Sequence, residues 1–367
     1  MHFLRYFLLL TIVLLTAGCS TLSYYGQAVG GQLDILARTR PISEVLDDRL
    51  ADGTVTPPVT PAVKVRLTAV LQIRDFATKA LHLPDNGSYR VYADLDRAQV
   101  AWNVVATPEF SLTPKEWCFL IAGCVPYRGY FSRANAEQFA KSLKQEQLDV
   151  RIAGVAAYST LGWFRDPVFS TQLRRSDADI AALIFHELAH QQLYLSGDAA
   201  FNESFATTVE LEGMRRWLEQ RNDAAAKENY LRDSVRHAEF VALLLKFRTR
   251  LEVLYASPLS ANQMRTAKAR DFAALRAEYA ELRQQWGGYD GYDIWFAQDL
   301  NNAHLASVVL YNQYVPAFQQ LLANMQGDLP EFYRQARTLS HLPTAERVAR
   351  LVVNSDAQTG TAPTEHP

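Results

Sequence analysis

The segment His186-Glu187-Leu188-Ala189-His190 carries the residue types and the spacing that can do chemistry. Its two histidines are four positions apart, so on a helix both imidazoles leave one face toward a single metal ion. Glu187, beside them, is placed to take a proton from water at that metal. Glu203, thirteen positions after His190 within Asn202-Glu203-Ser204-Phe205-Ala206, is a candidate third ligand. Two histidines and a glutamate around an open fourth position form a catalytic zinc arrangement rather than a structural one. The expectation is one Zn2+ per chain, a peptide substrate and metal-assisted hydrolysis with Glu187 as general base.

A bare run of this kind can arise by chance on an exposed helix. Here Leu183, Ile184 and Phe185 precede it, and Leu188 and Leu193 surround it. The helix therefore reads as largely buried, where an unpartnered glutamate is costly. A metal supplies the partner.

Hydrolysis also needs a donor for the developing oxyanion. Tyr127, Tyr130, Tyr158 and Tyr289 fall in loops or at strand ends, and His304 is a further candidate; the sequence does not choose among them. Asp198 could brace a histidine or simply end the helix. Thr207 and Glu210, one and two turns beyond Glu203, are candidates for groups that orient the ligands. An exopeptidase must also bind a free α-ammonium group, for which Glu210, Glu109 and Asp290 are acidic candidates without distinguishing spacing.

The elements that position these residues can be read from caps and periodicity. Ser176 and Asp179 have the spacing of a capping box ahead of a helix from Ala181 to Tyr194, which Gly197-Asp198 ends. Asn202 is expected to cap the next helix, with Glu203 in its first turn, folded back on the histidine pair. Upstream, helices are expected over residues 24–38, 42–46 and 65–81, with a loop at 52–58. Strands are expected at 89–92 and 100–106, able to pair as a hairpin, and at 151–159. Downstream, amphipathic helices run from Val209 to about Arg250 with a break at Asn222-Asp223, followed by a helix from Ala261 to Gln285. A loop at 287–293 precedes a helix from about Leu300 to Leu322, kinked or restarted by Pro316. Two more helices follow Asp328-Leu329-Pro330 and Pro343, the last ending near Leu351. Residues 356–367 read as a disordered tail. The fold class is α+β, predominantly helical, with a small sheet and a two-helix metal site. Residues 19–355 form a single domain of one or two lobes.

The chain's beginning suggests a location. An apolar stretch from Phe7 to Leu15 has the length of a secretory signal core and is short for a membrane span. Leu15-Thr16-Ala17-Gly18-Cys19 follows, resembling the bacterial lipoprotein signal. That resemblance implies cleavage of residues 1–18, lipidation of Cys19 and, with Ser20 next, sorting to the outer membrane with the soluble domain facing the periplasm. The chain has 37 basic and 39 acidic residues, a net charge of −2, and no basic stripe that would suggest nucleic acid. Of three cysteines, Cys118 and Cys124 remain. In an oxidising compartment a small-loop disulfide is the natural pairing, two buried thiols the alternative. Protein partners are not legible.

The chain resembles a bacterial family of predicted zinc aminopeptidases, many of them lipoproteins. The resemblance runs through Ile73-Arg74-Asp75-Phe76-Ala77, Trp102-Asn103-Val104, Trp117-Cys118 and Gly123 to Phe131. It continues in Ala157 to Phe164 with Asp166-Pro167, His186 to His190, Phe201-Asn202-Glu203 and Asn301-Asn302-Ala303. The metal segment is also similar to the thermolysin-like zincin clan. That resemblance implies His186, His190 and Glu203 as ligands and Glu187 as base, with an interval from His190 to Glu203 shorter than is usual there. The Tyr127-Arg128-Gly129-Tyr130 and Tyr158-to-Trp163 segments could line the cleft, the latter as an edge strand pairing with extended peptide. A non-catalytic zinc lipoprotein that binds peptides or assists envelope assembly is the alternative from another class, and an endopeptidase of the same clan is a third.

Overall fold

Apolar spacing along the chain produces a mainly helical α+β structure with small sheets. The computed structural model describes residues 24–50, 52–55, 58–119, 123–155, 159–306 and 314–359. Cys19 and Tyr158 lie outside the described residues, as do 360–367 of the tail. Among the described residues no helix is long and apolar enough to cross a membrane.

Helix α1 (residues 24–38) leads into strand β1 (Thr39–Pro41) and helices α2 (Ile42–Asp47) and α3 (Pro61–Leu81). Strands β2 (Val91–Ala93), β3 (Ala101–Pro108), β4 (Trp117–Phe119), β5 (Gly123–Val125) and β6 (Arg128–Tyr130) follow. Then come α4 (Arg133–Gln145), β7 (Leu148–Val155) and β8 (Val168–Phe169). The rest is helical: α5 (Asp177–Gln192), α6 (Ala199–Arg221), α7 (Ala224–Tyr255), α8 (Ala261–Gln285), α9 (Asp293–Phe296) and α10 (residues 302–306). Helices α11 (Val315–Asn324), α12 (Leu329–Ser340) and α13 (Thr344–Thr359) complete the chain.

The hairpin expected between the first two strands does not form. Strand β2 is flanked on both sides, by β1 antiparallel and by β8 parallel. With both edges filled, β3 pairs instead with β6 and with β7, the latter in register from Ala101↔Val155 to Pro108↔Leu148. Helix α4 covers this second sheet through Ala136, Ala140 and Leu143, a face too small to stand out in the sequence. The expected strand at 151–159 begins earlier, at Leu148, and β7 ends at Val155. Cys118 and Cys124 sit opposite one another in the β4–β5 hairpin and are joined by a disulfide.

The main core lies between α3, α5, α6, α11 and α12. Phe185, Phe201, Phe205, Phe318 and Phe332 are all fully buried there, with Phe205 stacked on Phe332 at 5.6 Å. Each such burial contributes about 1.5–3 kcal/mol, so this core holds α5 and α6 in place. Gly213 lets α6 approach closely: a Cβ there would come within 2.7 Å of Leu81 and 2.8 Å of Phe185. A second core gathers Phe240, Phe247, Leu251, Phe272, Leu275 and Phe296 of α7, α8 and α9.

Of two helix boundaries, the first follows one of its two expected forms and the second differs. Pro316 restarts a helix, occupying the first turn of α11 where its missing N–H costs nothing; residues 307–313 are outside the described residues. The last helix continues to Thr359 rather than stopping near Leu351.

Candidate metal centre

Ser176 starts the metal helix: its hydroxyl accepts from Asp179 N–H, and the Asp179 carboxylate accepts from the Ser176 N–H in return. Helix α5 ends at Gln192, with Leu193 as its cap. The next helix starts differently from the sequence reading. Asp198, not Asn202, is the N-cap of α6, accepting from Phe201 N–H at 3.0 Å. It also pairs with Arg347 at 2.8 Å, so it caps α6 and ties it to α13, and neither ends α5 nor braces a histidine. Asn202 is buried in the second turn. Its amide donates to Leu195 C=O at 2.8 Å and accepts from Leu195 N–H at 2.7 Å. That two-way clamp fastens the turn between the helices and brings Glu203 to the histidine pair despite the short interval.

His186, His190 and Glu203 converge, with one ligand atom from each lying within 4.8 Å of the others. His186 Nε2 is 3.3 Å from Glu203 Oε2, and His190 Nε2 is 3.8 Å from Glu203 Oε1. Ligands at ~2.0–2.1 Å from a tetrahedral zinc are separated by roughly 3.3 Å, so the donor set fits such an ion. His190 Nδ1 is buried without a partner among the described residues. On its other side, His186 Nδ1 lies 3.0 Å from Glu210 Oε2. Thr207 stands between these two glutamates on α6, partly buried.

The electrostatics are those of charges crowded away from water. Burial opposes charge on His186, but the hydrogen-bonded carboxylates of Glu203 and Glu210 outweigh it and hold the imidazole well above its usual value. Burial, helped by His186, lowers His190 to about 4. Glu203 is held below the usual carboxylate range because its contacts with His186 and His190 exceed the cost of burial. Burial lifts Glu187 to about 7, with His186 opposing and Glu203 adding to the rise. A carboxyl poised near neutrality suits proton transfer in both directions.

Two partly exposed tyrosines lie near this cluster. Tyr127, in the turn between β5 and β6, has its phenol pushed up by burial and then by Glu203, Tyr194 and Glu187. Tyr194, four positions beyond His190, is raised by burial and by Glu203, and its ring lies edge-on to His190 at 6.4 Å. Sequence reasoning missed Tyr194; the four-residue step from His190 was the signal, obscured because the helix ends before it. The other candidates sit elsewhere. Tyr130 packs into the sheet core against Tyr24 and Phe139. Tyr289 lies beneath the Arg236 guanidinium and beside Trp286 and Tyr292. His304 is buried against Trp295, where its Nδ1 accepts from Asn301 N–H at 3.2 Å. Glu109 is taken by a two-pronged pair with Arg265. Asp290 is exposed in the loop before α9.

The described part of the 158–163 segment is a turn, not an edge strand. Buried Asp166 gathers it, accepting from Thr160 N–H, Thr160 Oγ1 and Ser159 Oγ. Gln191 ties that turn to the metal helix by donating to Asp166 and pairing with Asn86. Beneath it, the fully buried Arg74 donates to the carbonyls of Ser88, Pro84 and Asn86. Tyr89, in the same loop, has a positive φ of 59° and a buried hydroxyl whose ionisation is opposed by burial and then by Glu187. Bulky residues rarely adopt that backbone region. Tyr89 and Asp166 lie near enough to Glu187 to be coupled to it electrostatically, which puts this turn on the Glu187 side of the cluster.

Asn302 is a structural anchor: it donates to the carbonyls of Pro108, Glu109 and Ser111 and accepts from the Tyr255 hydroxyl. No curated protein and no solved structure matches the chain. The model of a family described as "putative aminopeptidase" matches residues 23–351, and the chain belongs to that family.

Proposed function

We propose that this protein is a zinc-dependent aminopeptidase with a thermolysin-like two-helix site, held on the periplasmic side of the bacterial outer membrane by a lipid on Cys19. The observation that carries the catalytic part is the convergence of His186, His190 and Glu203 beside a Glu187 carboxyl raised to about 7. When bound, zinc supplies a Lewis acid that polarises the peptide carbonyl and acidifies water. His186, His190 and Glu203 would hold it. Glu210 would accept the Nδ1–H of His186 and so present Nε2 as the ligand atom. Glu187 takes the proton of the attacking water and returns it to the leaving amine. Tyr127 or Tyr194 offers a hydroxyl to the developing oxyanion. The family description supports the exopeptidase part.

The test uses the purified soluble domain, its metal content and a pair of substrates. The expected result is about one zinc per chain and hydrolysis of amino-acid anilides. Glu187→Gln should keep its zinc and lose about 10²–10⁴-fold in kcat. Cleavage of amino-blocked peptides would reassign the protein as an endopeptidase. A zinc-loaded wild type that binds peptides without cleaving them would make it a binding lipoprotein.

A further inference from the structure

Helix α1 has two unlike faces. Its inner face is built into the fold: Gln27 donates to Gly129 C=O at 3.2 Å and accepts from Phe131 N–H at 3.1 Å, closing the free edge of β6. Gly31 lies flush against Phe131, where a Cβ would come within 2.1 Å of the ring, and Ile35 is buried. Tyr24 packs on Phe119 and Tyr130.

The outer face shows Tyr25, Gly26, Val29, Gly30, Leu33 and Ala37, all exposed and none charged. Val29 is 57 % and Leu33 59 % exposed. Tyr25, Val29 and Leu33 recur every fourth residue and form one stripe. A water-facing helix surface normally carries charged and polar groups. The charges nearest that face are Asp34 and Arg38, each 37 % exposed and paired with one another in the last turns of the helix.

We infer that this outer face of α1 lies against the lipid surface to which Cys19 tethers the chain, an inference that rests on the anchor proposed above. Only residues 20–23 separate Cys19 from the helix. Four residues span at most about 14 Å even when fully extended. A lipid on Cys19 therefore brings the start of α1 to the headgroup region whatever the rest of the chain does. An uncharged, apolar face at that distance favours lying down on lipid over facing water. Tyr25, nearest the tether, is of a residue type that favours the boundary between lipid and water. The lipid supplies the attachment, and the stripe selects which side of the protein faces the membrane.

The experiment uses full-length protein extracted from membranes and reconstituted in phosphatidylethanolamine–phosphatidylglycerol vesicles. Val29→Cys and Ile294→Cys are each labelled with a small fluorophore. With Cys19 acylated and Cys118 bonded to Cys124, the introduced thiol is the single free one. Ile294 is 84 % exposed on α9, which packs in the second core rather than on the sheet that α1 covers. Brominated acyl chains should quench the probe at position 29 roughly twofold or more beyond the probe at 294. Equal quenching at the two positions, with the lipid on Cys19 confirmed by intact mass, overturns the inference alone. Protection of position 29 that grows with protein density, with 29-to-29 crosslinks, assigns the stripe to a second copy and overturns it as well. An unmodified Cys19 by mass removes the anchor, and the inference falls with it.

Discussion

Glu210 holds the far side of His186: its Oε2 lies 3.0 Å from Nδ1, while Nε2 faces Glu203. A carboxylate behind a ligating imidazole fixes the ring and its tautomer and raises its basicity. Glu210→Gln should therefore weaken zinc binding by about 10–100-fold with the fold intact. Competition against a fluorescent chelator measures this, with circular dichroism as the control. Unchanged affinity would reduce the contact to packing.

Tyr127 and Tyr194 approach the cluster from separate elements, and each can be removed without emptying the core. Loss of an oxyanion donor costs about 10²–10³ in kcat. Whichever of Tyr127→Phe and Tyr194→Phe removes the donor should show that fall with KM and zinc content near wild type. If neither variant moves kcat, both hydroxyls are excluded from the reaction.

Gly213 is where three helices crowd one another. Gly213→Ala puts a methyl inside contact distance of Leu81 and Phe185. Overpacking of this kind costs about 1–3 kcal/mol. Denaturant titration should show a lower midpoint with an unchanged slope. Because Phe185 directly precedes His186, zinc affinity should fall too.

His304 gives a pH signature. Burial, with Arg151 nearby, lowers it from 6.5 to about 3. Between those values the unfolded chain binds a proton that the folded chain does not, so the contribution is complete above about 6.5 and is lost as pH falls toward 3. At about 1.4 kcal/mol per pH unit, the effect reaches a few kcal/mol at the acid end. His304→Asn should flatten the stability profile across that window relative to wild type. An unchanged slope would mean that His304 is protonated in the folded protein.

The cluster of His186, His190 and Glu203 was legible because the histidine spacing is set by helix geometry: His186 and His190 are one turn apart wherever the helix goes. The cap at Ser176, the helix start after Asp328 and the break at Asn222-Asp223 were legible for the same local reason. Asn202 was misassigned because an asparagine can cap a helix or clamp a turn, and only the position of Leu195 decides between them. The strand at 91–93 was legible as a strand but not in its partners, since alternation does not say that β1 and β8 already fill its edges. Tyr89, Asp166 and Gln191 are joined to one another by hydrogen bonds between distant segments, which leave no periodic trace.

The Asn202 clamp on Leu195 has a consequence for how the protein would acquire its ion. The bonds that hold the bend between α5 and α6 are amide-to-backbone contacts and helix caps, none of which involves a ligand atom. Zinc fingers fold only as they capture their metal. If the proposed site binds zinc, this chain is expected to keep its fold without the ion and to exchange one divalent ion for another without coming apart. Stripping it with a chelator should switch off activity while leaving its melting behaviour cooperative, and adding metal back should restore turnover without a refolding delay.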